Sequence, residues 1–216
     1  MIEAIVVSVA SECKSEIEKL NLDLEKLLEV VRYADSERAL CTRNDPRGFG
    51  LITINAKAAR GLREQFCGND WVHDETDNQP GILNEELGVR IIPCNFDENA
   101  GNPLLDPTNR TEKGAASSKK VRCNGTSWLP GLEPPIIDDE SGVVTLVLGI
   151  FSEEAEPLRA ELSYPLEFNG GKYKYFKRRI MLLSGSDAPI DSPATADSES
   201  GKPTETVEIN VERRKK

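Results

Sequence analysis

The stretch Val143-Val144-Thr145-Leu146-Val147-Leu148-Gly149-Ile150-Phe151 decides the fold class. Its apolar run, broken only by Thr145, suits a β-strand covered on both faces, because a strand with one wet face would alternate. Arg159 to Leu166 does alternate, and after the turn formers Asn169-Gly170-Gly171 a further strand runs from Tyr173 to Leu183. Glycine tolerates the positive φ that tight hairpin turns require, so these two strands pair antiparallel. Upstream, Gly81-Ile82-Leu83 and Val89-Arg90-Ile91-Ile92 flank Asn84-Glu85-Glu86-Leu87-Gly88 and read as a second hairpin.

Before these strands the periodicity changes from two to between three and four. Ile2, Val6, Val9, Cys13, Ile17, Leu20, Leu24, Leu27 and Val31 form one helical stripe, with Glu12, Lys14, Glu16, Glu18 and Lys19 among the residues of the polar face. The β-branched residues between Ile5 and Val9 would also suit a strand, but the unbroken stripe favours a helix. Turn formers from Thr42 to Gly50 end it, and Leu51, Ile54, Ala58, Leu62 and Phe66 resume helical spacing up to Gly68, a natural C-terminal stop. The expected fold is therefore α+β: two N-terminal helices packed on a mainly antiparallel sheet.

The remaining segments are polar. From Asn69 to Asp139 turn-forming residues dominate, and the stretch from Cys94 to about Pro135 has no apolar periodicity. A loop of that length inside a domain is either functional or disordered; it is expected to be ordered, pinned between two apolar layers. Residues 184–216, rich in Ser, Asp, Pro, Thr and Glu, are expected to form a disordered tail. The domain reading is one α+β domain over 1–183, with a helical hairpin in 1–68, a β-hairpin and long polar loop in 69–139 and β-strands in 140–183.

Composition excludes several classes. Of 216 residues, 27 are Lys or Arg and 37 are Asp or Glu, a net charge of −10 with the single His neutral, and the pI is near 4.8. Sequence-independent binding to DNA or an anionic membrane requires basic residues to displace counterions, so this balance argues against both. No stretch approaches the roughly 20 apolar residues of a membrane span, and Glu3 stands where a secretory leader would be basic. The chain is expected to be cytoplasmic, with its five dispersed cysteines as thiols. P-loop, dinucleotide, H-E-x-x-H, C-x-x-C and G-x-S-x-G motifs are all absent.

Three constellations remain. Asp97, Glu98, Arg110 and Lys113 share one polar loop and form either an internal ion-pair clamp or a site for a divalent metal and a phosphate. Lys172, Lys174, Lys177, Arg178 and Arg179 interleave with Tyr173, Tyr175 and Phe176, which suits either a strand with an aromatic inner face or nucleic-acid contact. Cys67, His73, Cys94 and Cys123 make up a Cys₃His set in type, although their spacing lacks the close pairs of compact zinc modules. No cofactor is expected, with a divalent metal as the alternative.

Several short patterns together carry a resemblance. They are Glu37-Arg38-Ala39-Leu40 with Asn44-Asp45-Pro46 and Gly48; Arg60-Gly61-Leu62-Arg63-Glu64 with Trp71; and Asp97-Glu98 with Thr108-Asn109-Arg110 and Lys113-Gly114. Arg159-Ala160-Glu161-Leu162-Ser163 and Arg178-Arg179-Ile180 complete the set. The whole resembles a group of small bacterial proteins with no established activity that accompany mobile elements or phage defence. Asn99 and Asn102 depart from the glycine or acidic residues expected there. The resemblance implies no catalytic residues.

The leading functional expectation is a non-enzymatic accessory protein of a bacterial defence or mobile-element system. It would bind another protein with a basic surface through the Cys94–Pro135 loop. Two alternatives are a small divalent-metal-dependent enzyme or nucleotide-binding domain using residues 95–114, and a nucleic-acid-binding protein using 172–179.

Overall fold

A computed structural model describes residues 4–126 and 142–185. The fold is α+β, with four helices and an open seven-stranded mixed sheet among the described residues. The strands are β1 (Ile5–Val7), β2 (Val72–Asp74), β3 (Gly81–Asn84), β4 (Val89–Asn95), β5 (Val144–Phe151), β6 (Arg159–Asn169) and β7 (Lys172–Ser184). The helices are α1 (Ala10–Glu18), α2 (Leu24–Ala39), α3 (Phe49–Phe66) and α4 (Ala115–Thr126). The sheet order is β1-β7-β6-β5-β4-β3-β2, with β1–β7 and β4–β5 parallel and the other four pairings antiparallel. Both expected hairpins form, β3–β4 and β6–β7.

The N-terminal stripe does not make one helix. Ile5–Val7 instead pairs with Arg178–Ile180 as an edge strand, following the strand preference of its β-branched residues. The helical register then breaks at Asn21, whose φ is +55°, and Asp23 restarts it by accepting the Lys26 backbone N–H at 3.0 Å. An N-cap residue inside an apparently continuous stripe thus divides it in two. Nor are the helices confined to the N-terminus. The stretch expected to be an aperiodic loop contains α4, while the rest of it from residue 127 on, and 186–216 of the expected tail, lie outside the described residues.

β5 is buried on both faces, as its composition requires. Leu146, Leu148 and Ile150 join Ile17, Leu27, Ile54 and Leu62 in a core between the sheet and α1–α3. Val147 and Phe151 face the other way, joining Cys94, Phe96, Val121, Tyr173 and Phe176 in a second core. Gly149 lies directly beneath Phe96: a Cβ there would meet the ring at 2.1 Å. Beyond a register shift at Tyr164/Pro165, the outer half of the β6–β7 hairpin contributes Phe168, Tyr173 and Phe176 to this second core. The second face is therefore covered by α4 and aromatic residues at one end. At the other, its cover is the polar loop after β4.

Candidate functional site

On β6, Ala160 and Leu162 belong to the helix-side core, so Glu161 and Ser163 point to the opposite face. On β7, Ile180 and Leu182 likewise face the helices, and Arg179 faces away beside Glu161. Arg179 is 1 % exposed and Glu161 is wholly buried. A buried ion pair is tolerable only when its remaining donors and acceptors are also satisfied, and here they are. Arg179 Nε and Nη2 donate to the two Glu161 carboxylate oxygens at 2.9 and 2.6 Å. Nη2 also reaches the Asn102 carbonyl at 3.0 Å, and Nη1 reaches the Leu105 carbonyl at 2.9 Å and Asp106 at 3.3 Å. Glu161 in turn accepts the Ser163 hydroxyl and, at 2.9 Å, the Gly101 N–H.

The loop from Phe96 to Lys113 is tied at its base as well. Phe96 and Asn109 form a β-bridge, Asp97 N–H donates to the Thr108 carbonyl and Arg110 N–H to the Asn95 carbonyl, each at 2.9 Å. Asn109 is fully buried. Its Nδ2 donates to the carbonyls of Thr111 and Gly171 at 2.6 and 2.8 Å, and its Oδ1 accepts the Tyr173 N–H at 2.8 Å. Gly101 has φ +67° and passes so close to Leu183 that a Cβ would meet its carbonyl oxygen at 2.2 Å, so only glycine fits there. Between these fixed points the loop exposes Leu104 and Leu105, at 88 and 53 %.

Asp106 directly follows that pair of leucines, and further acidic groups lie against the base of the loop. Asp106 is half exposed, and the connection after β5 carries Glu153, Glu154 and Glu156. This connection adjoins the loop: Arg110 pairs with Glu153 at 2.5 Å, and Arg159 bonds the Glu98 carbonyl while pairing with Glu156 at 3.5 Å. Arg159 also lies 5.2 Å from the Phe151 ring centre. Burial pushes the Asp97 carboxyl above its ordinary value, only partly offset by hydrogen bonds from the backbone and by Lys172.

The sequence-based sites are distributed differently. Among the described residues no ion pair joins Asp97 or Glu98 to Arg110 or Lys113; Arg110 turns to Glu153, and Lys113 lines a separate cavity. In the basic strand, Arg178 pairs with Glu16 of α1 and Arg179 is interior. Lys172 bonds the carbonyls of Asn109 and Arg110, Lys177 sits 5.0 Å from the Tyr164 ring centre, and Lys174 is exposed opposite Glu167. Cys67 and Cys94 belong to the cores on opposite faces of the sheet, His73 is exposed on β2 and Cys123 is half-buried on α4. No group of three potential metal ligands occurs among the described residues. All five cysteines are thiols, and burial pushes Cys94 up to about 11. Glu161, Asn109 and the leucine pair escaped the sequence reading. The available signal was one acidic and one basic residue at inward positions of neighbouring strands, Glu161 on β6 and Arg179 on β7.

Comparison with known proteins finds no matching family model, no matching curated protein and no matching solved structure. No helix among the described residues is long and apolar enough to cross a membrane.

Proposed function

We propose that this chain is a non-enzymatic accessory protein that docks onto another protein through Leu104 and Leu105, within a bacterial defence or mobile-element system. The observation that carries the reading is the pairing of exposure with fixation. Two adjacent leucines face solvent on a loop whose backbone is held by a fully buried arginine and glutamate. An apolar knuckle already fixed in shape loses little conformational entropy on binding, and its burial supplies the affinity. Asp106 beside it, with Glu153, Glu154 and Glu156 on the connection that adjoins the loop's base, selects a partner with a basic surface next to an apolar hollow, and the chain's net charge of −10 works in the same direction.

The test is co-purification from the native host at low salt, comparing the wild type with the double variant L104D/L105D and with E154K. The expected result is one partner in comparable amount with the wild type. The leucine variant should lose it, since burying each leucine contributes about 1.5–3 kcal/mol. E154K should weaken capture and flatten its salt dependence. A partner retained by L104D/L105D, or no partner at all, refutes the proposal.

A further inference from the structure

The chain leaves the described fold at the base of the leucine loop. At the end of β7, Ser184 and Gly185 pass against the loop and against Arg159: a Cβ on Gly101 would lie 3.2 Å from the Ser184 Cα, and a Cβ on Gly185 would lie 2.7 Å from the Arg159 Nε. Arg159 and Glu161 share one face of β6 two residues apart, which is about 7 Å along a strand. The exit point is therefore close to the Arg179–Glu161 pair that holds the carbonyls of Asn102 and Leu105.

The same corner carries a surplus of negative charge. Glu98 is exposed at the start of the loop, and Glu154 is exposed on the connection after β5; neither joins an ion pair among the described residues. Arg110 pairs with Glu153 and Arg159 with Glu156. Arg179, which touches Asp106, is already balanced by Glu161, and Lys172 is set against Asp97. Counting Glu98, Asp106, Glu153, Glu154 and Glu156 against Arg110 and Arg159 leaves three negative charges beside the exit point.

The chain's own sequence contains a segment of matching chemistry. In residues 207–216, beyond the described part, Val207, Ile209 and Val211 alternate with Glu208 and Asn210, and Glu212 is followed by Arg213-Arg214-Lys215-Lys216. Four consecutive cations stand out in a chain whose net charge is −10. Residues 186–206 can span up to about 70 Å at about 3.3 Å each, so reach from Gly185 is not limiting. Covalent attachment makes docking of this segment intramolecular, and a separate protein has to outcompete it.

We propose that residues 207–216 dock on this surface of their own chain, with Val207, Ile209 and Val211 against Leu104 and Leu105 and the four cations against the acidic corner, so that a partner must displace them. The inference rests on the reading of the leucine pair as a docking surface and adds its regulation. The test is ¹H–¹⁵N chemical-shift mapping of the full chain. R213E/R214E/K215E/K216E and, separately, V207D/I209D/V211D should shift the amides of Gly101–Asp106 and Glu153–Glu156 and leave those of α2 in place. Adding E98K/E154K to the charge-reversed segment restores opposite charges across the contact, and should move the Gly101–Asp106 amides back toward their wild-type positions. Wild-type positions should not change on about tenfold dilution, as expected for a contact within one chain. Unmoved loop amides in both segment variants, a charge swap that restores nothing, or positions that change on dilution, as for docking between two copies, each overturn the proposal. The readout needs no partner, so it can fail while co-purification through the leucines succeeds, and the reverse.

Discussion

Replacing Arg179 with methionine removes every bond that joins the interior of the sheet to the loop carbonyls of Asn102 and Leu105. It also leaves the wholly buried Glu161 without its counter-charge. Breaking a buried pair from one side costs about 3–5 kcal/mol, against a total stability of about 5–15 kcal/mol for an ordinary domain. R179M should therefore lower the urea midpoint by a large fraction with little change in the slope. Most of that loss comes from the stranded carboxylate and not from the missing attraction, so the double variant R179M/E161M should recover much of the stability. It should not recover the loop. With neither Arg179 to hold the carbonyls nor Glu161 to accept the Gly101 N–H, residues 99–106 lose their anchors, and their amides should exchange faster than in the wild type. A cost below about 1 kcal/mol for R179M would refute the reasoning. So would a double variant whose loop amides are as protected as those of the wild type.

Other consequences concern single positions. G149A places a methyl group against the Phe96 ring and should destabilise by about 1–3 kcal/mol in urea unfolding; a neutral result would mean that the ring moves freely. N124A removes the side chain that bonds the Thr145 N–H and the carbonyls of Thr145 and Pro165, and should cost at least about 1–3 kcal/mol in the same assay because buried backbone groups lose their partners. Burial raises Asp97 above its ordinary 3.8, so the folded state holds this proton more tightly than the unfolded state. The stability this confers is complete below the ordinary value and lost as pH rises through the raised one. D97N should therefore gain on the wild type as pH is raised through that window, and a gap that moves the other way contradicts the assignment.

How far the fold could be read from the chain depended on whether burial was apolar. The β5 run, the Asn169-Gly170-Gly171 turn and the 81–93 hairpin are apolar segments with turn residues between them, and all three appear as expected. α4 was not legible because its buried stripe is Ser117, Lys120, Val121 and Asn124. That spacing is helical, but three of the four residues are polar, and each reaches the interior only because a specific partner receives it. Ser117 is met by Gln79, Lys120 by Asp77 and the Thr76 carbonyl, and Asn124 by the backbone at Thr145 and Pro165. Such stripes leave no trace in a hydrophobic period. The same holds for the candidate site. Arg179 sits in a run of cations that resembles a solvated face, and nothing in the run itself distinguishes the one that turns inward to hold a loop.

The account rests on the backbone of the loop being fixed before any partner arrives, and ¹⁵N relaxation of the free protein across Gly101–Asp106 measures that directly. Anchoring by Arg179 and Glu161 predicts order parameters near the rigid-backbone value of about 0.85. Values below about 0.6 across those residues would contradict it.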